Sequence, residues 1–390
     1  MVTQTEPGAH PDNATSLSGV FPSQRLRDAV RDGWIVSEKY QIPRDSFQPA
    51  SLDLHLGDVA YRLQCSFIPG DNSVQEKLGE YAMGGPIDLR DGAVLEIGRP
   101  YLIPLAEGLT LPAGVRARTN PKSSTGRLDV FTRVITDRGH YFDDVADGYH
   151  GQLYLEVFSR SFTIRVQQGL SLNQLRLLGS SAEIRDEELR ALQQSDPLLF
   201  DDSGPTPVDH VTFASGLLLS VDLSGRDSLA YRARKNSKLL DLTLEGFYDY
   251  SDFWEAERPS GTPRRLILEP EEFYLLVSKE RVRVPPDYAA EMVAYDPTSG
   301  ELRTHYAGFF DPGFGDIPGA ERQGSRAVLE VRAHDVPFVI EDGQKVFKLA
   351  FQRLSERPDV RYGDQIGSHY QGQELSLSKQ FRVPDARPPA

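Results

Sequence analysis

The chain repeats itself once, and that repetition governs how it can fold. Leu95-Glu96, Tyr101-Leu102 and Pro112 recur as Leu268-Glu269, Tyr274-Leu275 and Pro285, each 173 residues further on. Leu155-Glu156-Val157 recurs as Leu329-Glu330-Val331, and Gly169 as Gly343, at an offset of 174. Earlier, Ser51-Leu52-Asp53-Leu54 is echoed by Ser220-Val221-Asp222-Leu223 at an offset of 169. Ordered matches at a slowly drifting spacing mark a duplication, and a unit this long is a domain rather than a solenoid repeat. The 390 residues thus divide into a lead-in over 1–20, a first copy over 21–180, a linker over 181–210 and a second copy over 211–390. The lead-in, rich in Gly, Pro, Ser and Asn, is expected to be disordered.

Alternation dominates both copies. Leu153, Leu155 and Val157 alternate with Gln152, Tyr154 and Glu156, and Phe162, Ile164 and Val166 with Thr163 and Arg165. Such runs read as half-buried strands, and the Gly, Pro and Asp between them as turns. One helix is expected near the start, with Ser23 as its N-cap, Leu26, Ala29 and Val30 on one face and Gly33 at its end. The linker opens on a second helical pattern, EIRDEELRALQQ, before turning acidic and Pro-containing. The fold class is therefore mostly β: two tandem barrel or sandwich domains with a few short helices.

Composition narrows the function. Hydrophobic residues make up 39% and charged residues 26%, the balance of an ordinary soluble protein. No apolar run approaches the roughly 20 residues that span a bilayer, and residues 1–20 lack the basic and apolar regions of a secretory signal. Cys65 is the only cysteine, so an internal disulfide is excluded and a reducing cytoplasm is expected. A formal charge of −14 disfavours broad nucleic-acid binding. A small anionic ligand then needs a local cluster of donors.

Such a cluster exists in the first copy alone. Lys122-Ser123-Ser124-Thr125-Gly126-Arg127 aligns with Asp296-Pro297-Thr298-Ser299-Gly300-Glu301, so both cations become acids in the second copy. Hydroxyls, backbone N–H groups and cations on a short loop suit phosphate oxygens, although a solvated turn has the same composition. The second copy carries Ala307-Gly308-Phe309-Phe310-Asp311-Pro312-Gly313-Phe314, where the first has Thr136-Asp137-Arg138-Gly139-His140. Glu330 follows between Val328-Leu329 and Val331. A carboxylate in such surroundings can have a raised pKa and serve as a general base; a strand Glu more often faces solvent. Only the second copy continues into a polar and aromatic tail, with Tyr362, His369 and Gln373.

Taken in order, these segments resemble the dCTP deaminases of the dUTPase/dCTP deaminase superfamily. Gly33-Trp34-Ile35 and Pro49-Ala50-Ser51-Leu52-Asp53-Leu54-His55-Leu56-Gly57 are similar to the start of those proteins. Lys122 to Arg127 resembles the family's Arg-Ser-Ser-x-x-Arg, with Lys for the first Arg. Ala307 to Phe314, Val328-Leu329-Glu330 and the tail from Tyr362 to Gln373 match in order, with His369 where Lys is usual.

The resemblance implies dUTPase-like β domains in a homo-oligomer, with active sites between subunits; in this chain it points to a composite site between the domains, the first copy giving the phosphate loop and the second the pyrimidine hairpin and closing tail. It implies deamination of dCTP to dUTP and ammonia, in the supply of dTTP precursors. Glu330 would be the base, Ser123 and Arg127 would position water and carboxylate, and Lys122 and Ser124 would hold phosphate. Asp311 would meet the 3′-hydroxyl; Ala307, Val328 and Leu329 would line the pyrimidine; Tyr362, His369 and Gln373 would close over the triphosphate. Mg²⁺ is expected with the triphosphate and zinc is not, because one cysteine cannot build the ligand set of zinc deaminases. A membrane or nucleic-acid partner is not expected; dTTP is a candidate feedback inhibitor. Three alternatives stay open: Glu156 as the base, a dUTP pyrophosphatase or bifunctional enzyme, and an inactive nucleotide-binding paralogue.

Overall fold

The structure, a computed structural model, describes residues 18–224, 230–293, 302–304, 308–320, 323–363, 372 and 374–382. Its strands pair in the same pattern twice. In the first copy one sheet runs Leu52–His55, Ser171–Leu178, Arg116–Pro121, Asp144–Val145; in the second it runs Leu217–Ser220, Lys345–Arg353, Tyr288–Val293, Phe309–Phe310. The facing sheets also correspond. Val59–Arg62, Pro100–Thr110, His150–Ser159 and Val130–Thr136 match Ala230–Ala233, Phe273–Val282, Ser325–Ala333 and Leu302–Thr304. Each copy adds a small ribbon, Ala93–Leu95 with Ile164–Val166 and Arg265–Leu268 with Phe338–Glu341. Two sheets packed face to face bury their apolar sides between them, which is why so much short alternating sequence folds here.

Pairing corrects two details of the repeat. The Leu56 and Val221 carbonyls accept from the N–H groups of Gly169 and Gly343, and their own N–H groups donate to Leu170 and Gln344, so the true offset there is 165 and the four-residue echo at 169 is a coincidence. Phe309–Phe310 pairs on Tyr288–Val293 as Asp144–Val145 pairs on Arg116–Pro121. Asp311 therefore corresponds to Ala146, and Asp137 is not its counterpart; Asp137 instead accepts from the Val74 N–H at 2.7 Å.

Other expectations change for physical reasons. The strand His150–Ser159 is buried on both faces from Leu153 to Val157, because the helix Val74–Tyr81 covers the face that alternation assigns to solvent. Tyr154 packs there with Leu78. Pro22, not Ser23, occupies the N-cap of the helix Ser23–Arg31; the Ser23 hydroxyl donates to Asp359 at 2.5 Å. The stretch 181–210 is knitted into the second copy. It forms the helix Asp186–Ser195, and Leu199–Asp201 then pairs with Phe273–Val282. The Gln193 side chain supplies the backbone partners that a sheet edge otherwise lacks, binding Leu198, Leu199 and Thr206. At the chain start, Gly19 and Val20 bond to Ser180 and Arg353, while 1–17 lies outside the described residues.

The two cores are not separate. The core of the first copy takes in Tyr231, Trp254, Phe273, Leu275, Val328 and Phe381 from the second. The short strand Leu240–Asp241 of the second copy also extends the first copy's ribbon. Among the described residues no helix is long and apolar enough to cross a membrane.

Candidate active site

The strand Arg116–Pro121 runs straight into a single helical turn, Ser123–Gly126. Lys122 stands at its N-cap, and its carbonyl accepts from Thr125 and Gly126 at 2.8 and 3.0 Å. The turn presses against the strand Ser325–Ala333 of the second copy. A Cβ on Gly126 would stand 2.5 Å and 2.8 Å from the two Glu330 carboxyl oxygens. Only glycine leaves room for that approach, which explains its place between Thr125 and Arg127. The donor loop of one copy and the carboxylate of the other thus meet within a single chain.

Glu330 is only 8% exposed, against the solvent-facing position that alternation favours. Burial pushes its carboxyl well above the ordinary range, the Arg127 guanidinium opposes this, and the Asp129 carboxylate reinforces it. Val328, two residues earlier, joins the first copy's core, while Leu329 points into the second's. Ser123 lies near Gly308, whose Cβ position would be 3.9 Å from its Oγ. Ala307, His369 and Gln373 lie outside the described residues.

A second cluster adjoins the first. Arg176 is fully buried and binds Asp311 at 3.0 Å and the Ala290 and Phe310 carbonyls at 2.9 and 3.1 Å. Its guanidinium lies 4.0 Å over the Phe309 ring. Burial raises the Asp311 carboxyl, Arg176 counters this, and Asp53 raises it further. Lys122 forms an ion pair with Asp53. Asparagine 120 and Arg118 reach Glu291 across the same seam, at 2.9 and 3.3 Å.

The C-terminal segment clasps the donor loop. Arg127 Nη1 donates to the Ser376 carbonyl at 2.8 Å, and the Ser378 hydroxyl donates to the Ser124 carbonyl at 2.6 Å. Tyr362 docks at the other side, its N–H bonded to the Pro312 carbonyl at 2.8 Å and its ring 5.7 Å from Phe314. Asp129 and Arg176 carry no signal in the sequence. Asp53 has one as part of the Ser51 to Gly57 motif, and Ser376 and Ser378 as part of the polar C-terminal tail.

Glu156, the equivalent of Glu330, is also buried but is bound by Arg133 directly across the sheet, with Nε donating at 3.0 Å. Arg133 is itself stacked on Phe142 at 4.1 Å. Among the described residues no three His, Cys, Asp or Glu side chains gather as a metal-binding group.

Comparison with known proteins agrees with the two-copy fold. Residues 17–181 match the family model of the 2′-deoxycytidine 5′-triphosphate deaminase N-terminal domain, and residues 185–381 match that of the C-terminal domain. The crystal structure of 2′-deoxycytidine 5′-triphosphate deaminase from Agrobacterium tumefaciens is 42% identical and superposes with a TM-score of 0.83, covering 90% of this chain and 100% of that one. A Halobacterium salinarum protein named dCTP deaminase, dUMP-forming, is 35% identical over 30% of this chain and 56% of its own length. A Nocardioides protein of the same name is 29% identical over 47% of this chain and 90% of its own length. The match with the Halobacterium protein thus spans little more than half of that relative. With both copies matched in order by the two halves of one family, this chain belongs to the 2′-deoxycytidine 5′-triphosphate deaminase family.

Proposed function

We propose that the chain hydrolyses the C4–N4 bond of dCTP, with Glu330 as general base. The observation that carries this reading is the buried Glu330 carboxyl held against the Ser123–Gly126 turn, beside Arg127. A carboxylate whose proton affinity is raised by burial is a stronger base toward water than an exposed one. Glu330 takes a proton from water and delivers it to N3 while the water oxygen bonds to C4, so that the C4–N3 π electrons end on N3. Glu330 then takes the proton of the new C4 hydroxyl and hands it to N4; the C4–N4 bond breaks with its electron pair on nitrogen, and ammonia departs. The C4=O of uracil forms in the same step, N3 keeps its proton, and Glu330 returns to the carboxylate. Ser123 and Arg127 orient water and carboxylate, Lys122 and Ser124 meet phosphate, and Asp311 meets the 3′-hydroxyl. Tyr362, His369 and Gln373 close over the triphosphate, which Mg²⁺ accompanies.

The relatives named dUMP-forming favour a second reading, in which the same chain also cleaves the triphosphate. Ammonia and pyrophosphate released from dCTP and from dUTP separate the two. Ammonia without pyrophosphate supports deamination alone, both products support the bifunctional reading, and pyrophosphate without ammonia would sink the deaminase assignment. Glu330→Gln is expected to lower ammonia release by about 10²–10⁴-fold, whereas Glu156→Gln leaves kcat close to wild type. Equal losses in both variants would reject Glu330 as the sole base.

A further inference from the structure

Directly beyond the donor turn, Asp129 carries a left-handed backbone (φ 57°) and is fully buried. Its N–H closes the turn by donating to the Gly126 carbonyl at 2.9 Å. Its carboxylate accepts from the Ser161 hydroxyl at 2.5 Å and forms an ion pair with Arg332 of the other copy. Arg332 is two residues past Glu330 on the same strand, hence on the same face, and is 3% exposed. Arg332 also donates to the Glu271 carbonyl, and Arg160 pairs with the Glu271 side chain. A charged network thus crosses the seam between the copies immediately behind the proposed base.

We propose that Asp129 and Arg332 are positioning residues for Glu330: their ion pair holds the Ser123–Gly126 turn to the strand and sets the field at its carboxylate. Among the described residues, the charged groups that act on Glu330 are Arg127 and Asp129 from the turn side, with Arg332 on its own strand reaching it through Asp129. Asp129 favours the protonated form of Glu330, and Arg332 offsets Asp129. A buried ion pair is a poor way to gain stability, because desolvation consumes most of its attraction. The molecule contains its own control. At the position equivalent to Arg332 the first copy has Phe158, which pairs across the sheet with Phe131, ring centroids 6.3 Å apart. The fold accepts an apolar residue there; the charge accompanies Glu330 and the donor turn.

The test compares Asp129→Asn, Arg332→Gln, the double variant and the charge-retaining Arg332→Lys. Two readouts are taken: the pH titration of the Glu330 carboxyl by carbon-13 NMR, assigned with Glu330→Gln, and ammonia release from dCTP across pH. Asp129→Asn is expected to move the titration midpoint and the acidic limb of kcat to lower pH, and Arg332→Gln to higher pH. The double variant returns toward wild type, and Arg332→Lys keeps the wild-type midpoint. Each single variant lowers kcat about tenfold with KM changed less than about threefold. A pair that merely braces the fold would lower melting temperature without opposite midpoint shifts. Shifts in the same direction, no shift, or an Arg332→Lys midpoint as displaced as that of Arg332→Gln would overturn the proposal. Should one neutral variant fail to fold, the sign of the midpoint shift in the other decides. The kinetic arm rests on deamination with Glu330 as the base. If wild type releases no ammonia, that reading falls while the NMR titration still decides this one.

Discussion

At Gly126 a single methyl group separates function from stability. Its Cβ would collide with the Glu330 carboxyl, the mobile end of a side chain, rather than with backbone. Gly126→Ala is therefore expected to lower kcat by about 10²-fold, since displacement of a reacting group by an ångström costs that much, with only a small change in melting temperature. A variant with normal kcat would show that the carboxylate need not sit there. Asp143 gives a different prediction. It accepts from the Val134 N–H and the Thr119 hydroxyl, both at 2.8 Å, yet burial pushes its carboxyl up to about 7. The folded value lies above the ~3.9 of an unfolded chain. Its protonated form thus stabilises the fold below about pH 4, and this is lost as the pH rises through about 7. Wild type should lose more thermal stability than Asp143→Asn between pH 4 and pH 8; equal losses in the two melts would refute it. Glu330 contributes in the same direction, so the difference between the proteins is the quantity to read. At this scale the sequence was only partly legible. Glu330, Arg127 and Ser123 stood out through family motifs. Arg332 and Arg176 did not, because their acidic partners lie 203 and 135 residues away and no local pattern links them.

The element that most rewards attention is the segment after the last long strand. Phe381 packs among Phe253 and Trp254, with ring centroids at 5.4 and 6.2 Å, and so anchors the clasp made by Ser376 and Ser378 on the donor turn. Phe381→Ala is expected to cost about 3–5 kcal/mol and to lower kcat as well, because the clasp loses its anchor. Thermal melts and ammonia release check both; stability lost with kcat intact would separate the anchor from the site. Strand identity and the duplication were readable from alternation and spacing. Register was less so, since a four-residue match such as Ser220 to Leu223 arises by chance and a strand covered by a helix keeps polar residues on a buried face. Glu156 and Tyr154 show this: one is neutralised by Arg133, the other packs beside Leu78. In the stretch 181–210 the helix Asp186–Ser195 was readable, but the strand Leu199–Asp201 was not. A short strand completed by one glutamine side chain leaves no periodic trace.

Across the whole molecule the two copies have diverged in complementary ways on one architecture. The first supplies hydroxyls and cations at Lys122 to Arg127, the second a buried carboxyl whose proton affinity burial raises, and the shared core at Trp254, Phe273 and Val328 fixes them together. The first copy's own carboxyl is bound by Arg133, and the second copy's loop has turned acidic in sequence. Joining loop and carboxylate in one polypeptide changes how the catalyst responds to scarcity. A cleft assembled from separate chains comes apart when they are dilute, whereas two copies that share one core within a single polypeptide stay joined at any dilution. Ammonia release per chain should therefore remain constant as the enzyme is diluted to nanomolar levels, and a steep fall would show that neighbouring chains complete the cleft. A cell holding only a few copies of this protein would keep all of them working.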